Sequence, residues 1–307
     1  MKIEGLLKRK CPVCNYEDSI KEISTQNNAS DSAYSDLKEC WNGLFKEKVI
    51  FNYNRCRNCG TLYCPTFFNN DHLAELYNQM PANMEEVPLA ALIKTQGGYF
   101  NFLKKNSTLD GDFMEIGPDI GLFTDFAVKE GNYNKFWLFE PNVSVKDSLK
   151  SIVANKKFSI VHEMEDFSCV QDNSLDTIVI IHVMDHLLDP VSYLKSLRKK
   201  LKSNGKLLIV THNEKSLLRY IFKVKWPAFC LQHPQLYNLK TTAKLLQETG
   251  FECINQGRTR NYFKVSFLIK HVLWALGFKI SYIPDFSGLT LGLKLGNIIT
   301  IATPKKD

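Results

Sequence analysis

The stretch FMEIGPDIGLF, Phe113 to Phe123, ends an apolar run on a carboxylate, Glu115, and then sets Gly117 and Gly121 four residues apart with Asp119 between them. Glycine alone enters left-handed torsions freely and leaves backbone bare for a ligand. Working outward, DFMEI, KFWLF, FSIVH, DTIVII and GKLLIVT read as strands, with TDFAVKE, VKDSLKSIVA and VSYLKSLRKKL between them as helices. That alternation predicts a parallel sheet with helices on both faces. A glycine turn leaving its first strand lies at the carboxyl end of the strands, where open α/β folds bind ligands. The helix over 190–202 is signed by Asp189 as N-cap, Pro190 at its first position and Gly205 past its end; another over 241–249 has Asn238 as cap and Gly250 as stop. GNIITIATPKK reads as a closing strand.

The glycine spacing is not G-x-G-x-x-G, and no G-x-x-x-x-G-K-[ST] occurs, so neither a dinucleotide nor a nucleoside triphosphate is indicated. The first residues, MKIEGLLKRKCPVC, have no apolar core of signal-peptide length, and the run VSFLIKHVLWALGFKI is broken by Lys270, His271 and Lys279. A cytoplasmic protein is the expectation. A net charge of +7, from 39 basic and 32 acidic residues, fits mild surface basicity or an anionic partner.

In a cytoplasmic chain nine cysteines point to metal rather than disulfides. Cys11 and Cys14 form C-P-V-C, Cys56 and Cys59 form C-R-N-C-G, and 41 residues separate the pairs. Two such knuckles supply four thiolates for a closed tetrahedral zinc site, with Gly60 allowing the second tight turn. Cys40 or Cys64 could replace one ligand; Cys169, Cys230 and Cys253 read as small core residues. This divides the chain into a zinc-binding module over 1–68, a helical linker over 69–108 containing Pro81 and Pro88, and an α/β domain over 109–307.

The α/β part resembles the class I S-adenosylmethionine-dependent methyltransferases, whose first motif is [DE]-x-G-x-G-x-G. Glu115, Gly117 and Gly121 match it, and Asp119 stands where the family usually has glycine; aspartate tolerates left-handed torsions better than most residues. The resemblance implies a Rossmann-like methyltransferase sheet, mostly parallel with its last strand antiparallel. It places Glu140 of LFEPN on the cofactor's ribose, and Glu163 with the backbone of Met164 on its adenine. LDTIVIIHVMDHLLDPVSYL and LKSNGKLLIVTHN resemble the family's fourth and fifth strands. With the zinc module, the chain is similar to sugar C-methyltransferases of deoxysugar pathways, which carry a histidine, an aromatic and a serine before a late helix. His233, Tyr237 and Asn238 occupy those places, whereas the family's H-E-H-x-x-Y form and large C-terminal domain are absent. An O-methyltransferase of small molecules with a zinc module fits as well.

Methyl transfer from a sulfonium to a hydroxyl or carbon acid needs an aligned acceptor and removal of a proton. His233 is the preferred base, with Tyr237 orienting it or the substrate, or serving as a hydrophobic staple. His182 lines the cofactor or substrate pocket or caps local backbone, and His186 orients Asp185 or a helix end. The acceptor is expected to be a small molecule or saccharide, in cell-surface glycan or deoxysugar biosynthesis. An RNA base methyltransferase is the alternative, against which no aromatic basic stripe stands out and HVMD replaces N/D-P-P-[YF]. A non-catalytic module of the same fold is the third reading. Insertions over 214–236 and 262–293 read as a lid over the acceptor, as core or dimer contacts, or as a surface that rests on a membrane.

Overall fold

The computed structural model describes residues 3–41, 49–78, 88–266, 268–269, 273 and 289–306. The chain opens with strands β1 (Leu7–Lys8) and β2 (Ser19–Ile23), helix α1 (Tyr34–Cys40), strands β3 (Tyr53–Cys56), β4 (Leu62–Tyr63) and β5 (Thr66–Phe67), and helix α2 (Asn70–Asn78). Strands β2, β3 and β4 pair antiparallel. The β3–β4 turn closes on Gly60 at φ +77°, whose amide donates to the Cys56 carbonyl at 3.1 Å. Behind the sheet lie Trp41, Phe51, Tyr53, Phe67 and Phe68, all buried.

Helix α3 (Leu89–Asn106) follows Pro88, whose ring cannot extend a helix backward. Expected as a connector, α3 instead belongs to the next layer: Tyr99, Phe100 and Leu103 pack against Phe113 and Phe123. Then come β6 (Asp110–Ile116), α4 (Leu122–Glu130), β7 (Asn132–Phe139), α5 (Lys146–Val153), β8 (Lys157–Val161), β9 (Leu175–Ile181), α6 (Pro190–Lys200) and β10 (Leu201–His212). These five strands are parallel. Covered on both faces, β9 carries the unbroken apolar run Ile178–Ile181 that such burial selects. Gly205 is not a helix stop. After Lys200 the chain passes directly into β10, whose pairing with β9 is irregular between Leu201 and Lys206.

Helix α7 (Leu217–Phe222), β11 (Gln235–Leu236), α8 (Leu239–Glu248), β12 (Phe251–Arg258), β13 (Asn261–Lys264), β14 (Thr290–Leu293) and β15 (Asn297–Pro304) complete the chain. The large sheet runs β12-β15-β10-β9-β6-β7-β8, with β15 antiparallel to both neighbours. Asn238 caps α8 with a capping box closed by Thr241. The expected insertion over 214–236 does not stand apart: β11 pairs with β4, and Trp226, Ala228, Phe229 and Leu231 join the N-terminal core. Arg9 locks this junction, donating to the Pro234 carbonyl at 3.0 Å, the Leu188 carbonyl at 2.9 Å and Gln235 Oε1 at 2.7 Å. The insertion over 262–293 is described at its ends, where β13 and β14 form a hairpin; Phe267 and Trp274 lie outside the described residues. Among the described residues no helix is long and apolar enough to cross a membrane.

Candidate active site

The turn after β6 has three left-handed residues, Gly117 at φ +68°, Asp119 at +51° and Gly121 at +81°. A Cβ on Gly117 would stand 2.8 Å from a methyl of Val183, so this backbone needs glycine on steric as well as torsional grounds. Gly121, the N-cap of α4, has a second duty: a Cβ there would meet Ile152 at 2.6 Å and Leu149 at 2.8 Å, on α5. Asp119 contributes its backbone. Its amide donates to Glu140 Oε2 at 2.8 Å, while Oε1 of the same carboxylate accepts from the Asn142 amide at 2.8 Å. Glu140 thus ties the end of β7 to the glycine turn.

Three carboxyls gather here. Burial pushes Glu115 up to about 8, with the Glu140 and Asp119 carboxylates adding to the rise and a hydrogen bond from the Thr124 hydroxyl at 2.5 Å opposing it. Burial also raises Asp119, and raises Glu140 against the pull of its two amide donors. Burial is the common cause, since it disfavours the charged form of a carboxyl. His162, at the end of β8, donates from Nδ1 to the Glu140 carbonyl at 2.8 Å, and its buried Nε2 has no partner. Further along the same rim, Glu163 is exposed and the Met164 carbonyl accepts from the Tyr193 hydroxyl at 2.8 Å.

Beside this turn, the carboxyl ends of β9 and β10 bring histidines together. His182 follows β9 with a left-handed φ of +54°, a strained conformation for a residue with a Cβ. Burial of its ring and the nearby His212 hold it down at about 3. His212 ends β10, and its ring centroid lies 4.8 Å from that of His182. Asp185, fully buried, accepts from His212 Nδ1 at 2.7 Å, from the His212 amide at 3.1 Å and from the Thr211 hydroxyl. The imidazole chain continues from His212 to His233, 4.9 Å between centroids, and to His186 at 4.7 Å.

Not every expected partner is found. His186 accepts from or donates to the Tyr77 hydroxyl at 2.9 Å, and it is His212 that engages Asp185. His233 is buried and donates from Nδ1 to the Ala228 carbonyl at 2.8 Å, with the Cys230 sulfur 3.3 Å away. Burial lowers its proton affinity, but Cys230 and Asp185 outweigh this and leave it raised to about 9, so near neutrality it carries a proton and is a poor base. Tyr237 is 1% exposed and its hydroxyl is directed to the Met184 carbonyl at 3.5 Å, because residues 213 and 237 form a bridge that turns the ring into the core. Among the described residues no hydrogen bond joins it to His233. The residue the sequence reading missed is His212. Its signal was positional: it ends the strand LLIVTH beside the strand that His182 follows.

The cysteines converge as the spacing predicts. One sulfur each from Cys11, Cys14, Cys56 and Cys59 lies within 4.8 Å of all the others, with Cys11–Cys59 at 3.4 Å and Cys14–Cys56 at 3.5 Å. Cys59 is drawn down to about 4 by hydrogen bonds from Cys11 and Thr61, against burial. Cys64 is buried elsewhere, near the His233 carbonyl, and Cys40 sits on α1; neither joins the group.

Comparison with known proteins identifies the α/β domain. Residues 88–256 match the model of a methyltransferase domain family. The chain belongs to that family, as an S-adenosylmethionine-dependent methyltransferase of the Rossmann-like fold. A search of curated proteins returns no match. Among solved structures, an S-adenosylmethionine-dependent methyltransferase from Leishmania major is 13% identical, with 92% of this chain and 87% of that one covered and a TM-score of 0.48. Another from Clostridium acetobutylicum is 9% identical, with 77% and 99% covered and a TM-score of 0.47.

Proposed function

We propose that this methyltransferase acts on a small molecule or saccharide, at oxygen or carbon, and that its cysteine cluster holds one structural zinc. The observation that carries the acceptor assignment is the contact between the two halves of the site. Val183, next to His182, packs against the bare face of Gly117, so the imidazole cluster adjoins the cofactor turn. S-adenosylmethionine supplies an electrophilic methyl on a sulfonium. The residues fit it: a carboxylate pocket without lysine or arginine among the groups that set its proton affinities, left-handed glycines, and an orphan His162 nitrogen beside Glu140. Glu115, Gly117, Asp119, Gly121 and Glu140 form the cradle, Glu163 and Met164 its outer rim. The histidine and aspartate cluster is where the acceptor's proton leaves. Its enclosure, with Asp185 at 0% and His233 at 6% exposure, suits a small acceptor better than a base in a nucleic acid strand.

Zinc fits the thiols by distance. Four sulfurs about 2.3 Å from one ion stand about 3.8 Å apart, close to the spacings here. Incubation with methyl-labelled S-adenosylmethionine and a panel of nucleotide sugars, glycans and lipid-linked saccharides tests the acceptor class. Label in this panel supports it; label in RNA alone, lost steeply with salt, would replace it by the nucleic acid reading.

A further inference from the structure

We infer that the segment 215–225, just beyond the histidine cluster, is a membrane-contact surface that rests the protein on an anionic bilayer. Helix α7 has two faces. On one, Leu218 and Phe222 pack against the N-terminal core, and Arg219 is anchored by Glu214 and Glu22. The other is apolar and bare. Leu217, Tyr220 and Ile221 stand at i, i+3 and i+4, which groups them on one side of a helix, and they are 55%, 82% and 58% exposed. Val224, in the turn that follows, is exposed as well. Single exposed apolar residues are ordinary, but four within eight residues make a patch.

Charge decides what covers it. Lys215, Lys223 and Lys225 border the patch, are exposed, and form no ion pair among the described residues. Residues 215–230 contain no aspartate or glutamate, and Arg219 is already paired, so three positive charges are left uncompensated. Lys223 has a φ of +50°, a strained torsion for any residue with a Cβ. An aliphatic and aromatic stripe bordered by lysines is the composition that settles at a bilayer interface, with apolar side chains among the acyl chains and ammonium groups at the phosphates. A protein partner fits less well. Hot spots of protein interfaces sit in packed surroundings ringed by neighbours that exclude water, and a tyrosine 82% exposed has no such ring. With only six residues, α7 would lie on the membrane and not cross it.

Chain position links this surface to the site. His212 ends β10 and α7 begins at Leu217, so the patch lies toward the carboxyl end of the sheet, where the cofactor turn and the histidines are. An acceptor carried on a lipid would be presented on that side. This last step rests on the methyl-transfer reading; the membrane contact does not.

The test is co-sedimentation of the full chain with vesicles of phosphatidylcholine alone and of phosphatidylcholine mixed with phosphatidylglycerol. The anionic vesicles should capture the protein at low salt and the neutral ones should not, and added salt should weaken capture by screening the lysines. A lysine near an anionic surface strengthens binding roughly fivefold, so Lys215→Gln with Lys225→Gln should weaken capture about twenty-five-fold. Tyr220→Gln with Ile221→Gln, at exposed positions where glutamine keeps the helix, should weaken it about tenfold or more and leave the melting temperature unchanged. No capture by anionic vesicles, or undiminished capture of either folded variant, overturns the membrane contact. So does light scattering that finds a dimer in the wild type and a monomer in Tyr220→Gln with Ile221→Gln, because a second copy would then cover the patch. Calorimetry with S-adenosylmethionine separates the two readings: cofactor binding without capture removes the membrane contact alone, and capture without cofactor binding removes the methyl-transfer reading alone.

Discussion

Asp119 stands in the turn after β6 at the place where the methyltransferase motif has glycine, and its backbone geometry sets what replacing it should do. Its φ of +51° lies in the left-handed region, where an ordinary L-residue is strained by about 1–2 kcal/mol. Asp119→Ala keeps the strain and loses the tolerance of aspartate, so it should destabilise by about 1 kcal/mol, a melting shift of about 2–4 °C. Asp119→Gly removes the strain but frees the unfolded chain at a cost of about 0.5–1 kcal/mol, for a net change near zero. The bond that organises the site, from the residue 119 amide to Glu140 Oε2, is made by backbone and survives both changes. S-adenosylmethionine should therefore bind Asp119→Gly within about threefold of wild type by calorimetry, under about 0.7 kcal/mol. A loss beyond about thirtyfold, about 2 kcal/mol, would refute this account and make the carboxylate a direct ligand.

Gly117→Val should abolish cofactor binding and lower stability, because its Cβ already overlaps Val183 at 2.8 Å; calorimetry on a sample shown to be folded decides it. Glu214, fully buried, accepts from Arg55 at 2.8 Å and from Arg219 at 2.5 Å, so Glu214→Ala leaves two guanidinium groups sharing the Glu22 carboxylate and their backbone carbonyls, and should cost about 3–5 kcal/mol in urea denaturation. Purified protein should carry zinc that Cys11→Ser with Cys56→Ser removes; full retention by elemental analysis would sink the four-thiolate site. Glu115 sets a pH dependence. Its folded value of about 8 exceeds the unfolded carboxyl's, so this contribution to stability is present below about pH 4 and is lost as pH rises through 8; denaturation of Glu115→Gln should show a flatter profile over that window.

Much of the α/β layer was legible because each signal is local. Strands β6 to β10 follow apolar runs bounded by turns, and Asp189–Pro190 and Asn238 mark helix starts through bonds to amides two or three residues away. The four cysteines were legible for a similar reason, since a C-x-x-C knuckle closes on itself. What escaped was set by pairing across long separations. Gly205 reads as a helix stop, yet β10 draws the chain straight from α6 into the sheet. His233 and Tyr237 read as a working pair, but the pairing of β11 with β4 and the bridge at residue 213 bury both. His212 was overlooked because its partner, Asp185, is 27 residues earlier and across a strand boundary.

The pairing of β11 with β4 bears on how the chain is made. During synthesis the first 78 residues leave the ribosome long before residues 226–236. Until then β4 is an open strand edge, and Tyr53, Phe67 and Phe68 lack the cover of Trp226 and Phe229. The N-terminal layer is therefore an orphan for most of translation. A nascent chain stalled before Trp226 should remain sensitive to protease in this region and bind chaperones through its exposed aromatics, and resistance should arrive abruptly once residue 236 has cleared the exit tunnel.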